Sequence, residues 1–179
     1  RGAIVLAALA EREVAGVDAL VGSIDARDYN GFNLLYGDAT TLRVAYARSE
    51  RAAVETQTLE DGIWVLPNDR IGSPEFPKAH RARELADPLA DRAWPELAID
   101  ARRLLSDHEV PPLEDVPAPP ADSLLTHAMV RALQSLCVHT PVYGTRSSTL
   151  LALSPRRVAH YLYADGPPCQ AAFGAVTEL

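Results

Sequence analysis

Residues 28–48, DYNGFNLLYGDATTLRVAYAR, decide the fold class. Phe32 to Tyr36 reads as a strand, Gly37-Asp38-Ala39-Thr40 as a turn, and Leu42 to Ala47 as the returning strand. Leu42, Val44 and Tyr46 alternate with polar and small residues, so one face of that strand is expected to be buried. Two shorter strands, 53–57 and 62–66, are expected next, with Asp61-Gly62 as the turn between them. Residues 31–66 thus read as a four-stranded antiparallel meander, because the connections are too short to hold crossover helices.

Upstream, apolar residues recur at helical spacing in 3–10 and in 14–25, where Val14, Val17, Leu20, Val21 and Ile24 share a face. Downstream, a helix is expected after Ser73 with Pro74 in its first turn, running to about Asp87, and a second from about Trp94 to Ser106. Five prolines in 110–123 predict a stiff, extended surface linker. Asp122 or Ser123 would cap a helix ending near Cys137. Strands follow at 147–153, 158–164 and 171–175, the first two joined by a turn at Pro155-Arg156. The class is α+β: antiparallel sheets with flanking helices.

The chain has 179 residues, enough for one domain over 1–179 with a real core. A net charge of −7 argues against nucleic-acid binding, which needs a clustered positive field. No apolar run is long enough to span a bilayer. Cys137 and Cys169 lack CxxC spacing and read as buried free thiols, which fits a reducing cytoplasm. The five histidines form no HxxxH or HxH pair and no cysteine joins one at metal spacing, so neither a metal site nor a cofactor is expected. There is no glycine-rich phosphate loop and no GxSxG elbow.

Three clusters stand out. Asn30 and Asn33 flank Gly31 and Phe32, and either form a turn or line a site. Asn68, in Val65-Leu66-Pro67-Asn68-Asp69-Arg70, either caps a turn or offers an amide donor suited to an oxyanion. Arg146, in Tyr143-Gly144-Thr145-Arg146-Ser147-Ser148, either pairs with an acid or grips a carboxylate or phosphate bidentately. Ser147 and Ser148 read as turn and strand hydrogen-bonding groups.

In this order, YNGFNLLYGD (29–38), VLPNDRIGSPEFPK (65–78) and YGTRSSTLLAL (143–153) resemble the NRDE family, also called the transport-and-Golgi-organisation family. RGAIVLAALAE (1–11) resembles the family's SRG helix, and the resemblance is clearest over 28–83 and 142–163. It implies a partial αββα sandwich of the N-terminal-nucleophile hydrolase type. It also implies that the chain is the C-terminal portion of a longer protein, whose cysteine nucleophile lies upstream of Arg1. The implied activity is hydrolysis of a small acyl-amide, with Asn68 stabilising the oxyanion and Arg146 lowering the thiol pKa. Asn30, Asn33, Tyr143 and Ser147 would line the same cleft as substrate-binding groups. Two departures matter: Pro67 replaces the family's serine and removes an N–H, and Phe76 is displaced by one residue. The alternative is a non-catalytic binding or trafficking protein for haem or an acyl or lipid ligand, although no histidine sits in a haem motif. An exposed sheet edge, or a homodimer covering it, is also expected.

Overall fold

A computed structural model describes residues 2–74, 76–155 and 157–177. It has the α+β composition expected, with helices and two small antiparallel sheets. The chain divides into two compact units, residues 1–62 with 68–70, and residues 63–67 with 71–179.

In the first unit, helices α1 (Gly2–Ala10) and α2 (Val14–Gly22) precede strands β1 (Phe32–Gly37), β2 (Leu42–Ala47) and β3 (Glu55–Leu59). The strands pair in the order β1-β2-β3, with Phe32 opposite Ala47 and Gly37 opposite Leu42. Asp38 closes the first hairpin: its Oδ1 accepts from the backbone N–H of Thr40 and of Thr41 and from the Thr40 hydroxyl. These bonds to the charged form hold its carboxyl below the usual range. Glycine is required at 37, since a Cβ there would lie 2.3 Å from the Thr41 carbonyl oxygen. Val17 and Val21 of α2 pack on Ala45, with Leu34, Tyr36 and Val54 around them. Tyr36 donates to Asp18 at 2.7 Å. Burial first, and then the Asp18 carboxylate, push its phenol up to about 12.

The expected fourth strand is absent: 62–66 is irregular, and the third strand falls at 55–59 rather than 53–57. Two features remove this segment from a ladder. Pro67 has no N–H, and the Ile63 carbonyl accepts from the Arg83 guanidinium at 2.6 Å.

In the second unit, α3 (Pro77–Ala86) and α4 (Glu96–Leu105) lead to α5 (His127–Ala132) and strands β4 (Ser148–Ser154), β5 (Arg157–Ala164) and β6 (Gly174–Ala175). The second sheet has the order β4-β5-β6, and Trp94, just before α4, stacks on His160 of β5 at 4.5 Å. Of the expected Pro155-Arg156 turn, Arg156 lies outside the described residues.

α3 starts at Pro77, not Pro74. Phe76 precedes a proline and sits at φ −123°, ψ 76°, outside the helical region, so no helix runs through it. α5 is shorter than expected and is capped by Thr126, whose hydroxyl accepts from the Met129 N–H at 3.2 Å. The Ser123 hydroxyl instead accepts from the Leu125 N–H, which makes a turn. The proline-rich segment is no free linker. Its Pro111 carbonyl accepts from Arg131, its Val116 carbonyl bonds the His127 ring at 2.7 Å, and Val116 is buried. Among the described residues, no helix is long and apolar enough to cross a membrane.

Candidate functional site

The first unit joins two of the three motif clusters. Asn33 of β1 donates through Nδ2 to the Asp69 carbonyl at 2.7 Å. Its Oδ1 accepts from the Arg48 guanidinium at 3.0 Å. Arg48 also donates to the carbonyls of Phe32 (3.2 Å) and Ala47 (2.8 Å) and to the Asp69 carboxylate (3.2 Å). One guanidinium fork therefore ties the start of β1, the end of β2 and the 68–70 segment together. Arg70 adds a second tie, pairing with Glu55 at 2.6 Å and lying 5.0 Å from the centre of the buried Tyr46 ring. Asn33 and Asp69 thus fix the chain beside Asn68, which is itself exposed. Asn30 is exposed in the turn before β1.

The second unit holds the third motif on a miniature hairpin. The Val138 N–H donates to the Thr145 hydroxyl at 3.0 Å, and the Thr145 N–H returns to the Val138 carbonyl at 2.9 Å. His139 bridges Gly144, where a Cβ would lie 3.0 Å from the Val138 carbonyl oxygen. At the tip, the Thr140 N–H and hydroxyl both donate to the Tyr143 carbonyl. Gly144 and Thr145 therefore lock the hairpin, while Tyr143 projects from it, 61% exposed. Arg146 and Ser147 follow, both exposed, at the entrance to β4. Among the described residues Arg146 has no ion-pair partner.

Between this hairpin and α5 runs an open groove of about 690 Å³. Leu125, Met129 and Leu133 form one wall, Pro141, Val142 and Tyr143 the other. Its size lies in the range of small-molecule sites. No Asp, Glu, Lys or Arg lines it.

Behind the hairpin lies a cluster that the sequence reading missed. One ligand atom from each of His108, Cys137, His139 and Cys169 lies within 4.8 Å of the others. Cys137 Sγ is 3.6 Å from both Cys169 Sγ and His139 Nε2, and His139 Nε2 is 3.1 Å from Cys169 Sγ. Cys137 is fully buried, but Cys169 is exposed, against the expectation that both thiols are buried. Burial first, and then the adjacent Cys169, push the Cys137 thiol up. Arg81 grips the Asp107 carboxylate with both arms of its fork, and the Asp107 carbonyl accepts the Cys137 N–H at 2.9 Å. The signal that could have revealed the cluster is Cys137-Val138-His139, since residues two apart in an extended segment face one way. His108 and Cys169 come from distant loops, and only the fold brings them in.

No curated protein matches the chain. The sequence model of the Transport and Golgi organisation 2 family matches residues 1–163, so all three motifs fall inside it, and the chain belongs to that family.

Proposed function

We propose that this protein binds an elongated apolar ligand of the acyl class in the groove between α5 and the 138–145 hairpin. The groove carries this reading, because it joins a small-molecule volume to a wall of aliphatic side chains. An acyl chain suits it better than haem. Haem brings two carboxylates, and no Lys or Arg lines the groove to meet them. The ligand's polar head rests at the hairpin end, near Thr140.

Titration with a fluorescent long-chain acyl ester should saturate at one site. Ala128→Glu places a carboxylate in the apolar wall and should weaken binding about tenfold or more, the cost of desolvating a charge without a partner. Leu124→Glu is the control: Leu124 is 98% exposed and not part of the lining, so affinity should hold. Equal loss in both variants, or no saturation in the parent, sinks the reading. A saturable Soret shift without acyl binding would make haem the ligand instead.

A second reading keeps amide hydrolysis, with Asn68 as oxyanion donor and Arg146 beside a cysteine nucleophile upstream of Arg1. The observation favouring it is the Asn33–Asp69–Arg48 clamp, which holds the backbone beside Asn68 as a preorganised donor would need. In a form bearing the upstream cysteine, Arg146→Ala should slow alkylation by an amide-like electrophile about tenfold or more at neutral pH, by raising the thiol pKa. Unchanged labelling would remove Arg146 from the role.

A further inference from the structure

We propose that His108, Cys137, His139 and Cys169 form a Cys2His2 site for one zinc ion. Both cysteines of the chain and two of its five histidines converge at this one point, from three separate loops. Their spacing is close to that of a coordination shell. Around tetrahedral zinc, with bonds of about 2.3 Å to sulfur and about 2.0 Å to nitrogen, neighbouring donor atoms lie roughly 3.3–3.8 Å apart. Among Cys137, His139 and Cys169 the separations are 3.6, 3.6 and 3.1 Å, and the His108 donor lies within 4.8 Å of each, so small side-chain shifts would close the shell. A disulfide would account for the two sulfurs alone and would leave two imidazoles gathered around them without a reason.

The surroundings support the same assignment. Nδ1 of His108 lies 3.0 Å from the Cys137 carbonyl oxygen. A proton donated there fixes the tautomer and leaves the lone pair of Nε2 for a metal, the usual orienting bond of a ligating histidine. The Ser135 hydroxyl donates to the same carbonyl at 3.0 Å. The donor set of two thiolates and two imidazoles selects zinc over the hard cations, which take oxygen. Four protein ligands close the tetrahedron, so the site is structural rather than catalytic. On binding, each thiol gives its proton to solvent, and two Zn–S and two Zn–N bonds form without any change of oxidation state.

The inference shares only His139 with the acyl-binding reading, and its test does not involve that ligand. The full chain is reduced, stripped with chelator and titrated with cobalt(II), then zinc. One equivalent of cobalt should bring up the visible bands of a tetrahedral ion together with thiolate charge-transfer absorption in the near ultraviolet. Zinc should erase both and release about two protons per ion while the thiols are protonated. Cys137→Ser and Cys169→Ser should each weaken binding by about a hundredfold or more, while His80→Gln, on α3 and outside the cluster, should not. The titration of the parent chain decides the matter even where a variant fails to fold. Absence of a stoichiometric cobalt spectrum overturns the proposal. So does a spectrum unchanged by both cysteine substitutions, or a Cys137–Cys169 disulfide that forms while metal is present.

Discussion

Arg48→Ala is expected to destabilise the first unit by about 3 kcal/mol, the range for breaking a largely buried charged network. Its side chain is only 15% exposed and makes four donations, two of them to the backbone carbonyls of Phe32 and Ala47, which face each other at one end of the β1-β2 pair. Removal leaves the Asp69 carboxylate and the Asn33 amide oxygen each short of a partner. Arg48→Lys should recover less than half, because an ammonium cannot span Phe32, Ala47, Asn33 and Asp69 at once. The measurement is hydrogen exchange, since both tryptophans belong to the other unit and fluorescence would report elsewhere. Amides of β1, β2 and 68–70 should lose protection together. If 68–70 stays protected in the alanine variant, the fork is not what holds it.

The second large effect is on metal. Zinc at a thousandfold above its dissociation constant is expected to stabilise the folded second unit by about 4 kcal/mol, since the unfolded chain presents no assembled site. For a chain of this size that corresponds to roughly 10 °C in melting temperature. Chelator should reverse the gain. Acid should reverse it too, because the two thiolates and two imidazoles must give up the ion to take protons. Thermal melts with zinc or chelator, followed by alkylation of the thiols, test both points. Cys137 is buried and should be protected in either state until the unit opens. Cys169 is exposed and should be shielded only when zinc is bound. Equal reactivity of Cys169 with and without zinc would contradict the effect.

The elements legible in the sequence were those set by local pattern. The limits of β2 coincide with the expected Leu42 to Ala47, because Leu42, Val44 and Tyr46 alternate and the Asp38 turn is encoded locally. What failed depended on partners far along the chain. Residues 62–66 carry strand-like side chains, yet Arg83, some twenty positions on, takes the Ile63 carbonyl. The start of α5 is not legible in the sequence because Ser123 and Thr126 are both capping residues, and only the hydrogen bonds separate a turn from a cap. At the candidate sites the motifs were visible but not their work. Asn33 reads in the sequence as a possible ligand group, and the fold adds that its amide anchors Asp69. Arg48, the centre of that anchor, looks like any surface arginine in the sequence. In YGTR, two of the four residues lock a hairpin and one lines a groove, which spacing alone does not reveal.

Both sheets are built from strands that follow one another in the chain, β1-β2-β3 and β4-β5-β6. Each can therefore zip from its own hairpins in microseconds, at little cost in loop closure. The histidine–cysteine cluster is the opposite case: its members run from residue 108 to residue 169, across α5 and most of the second sheet. It can close only after those pieces have found one another. Assembly should thus be sequential in time, with the sheets forming before any ion is captured and metal uptake as a late, concentration-dependent kinetic phase.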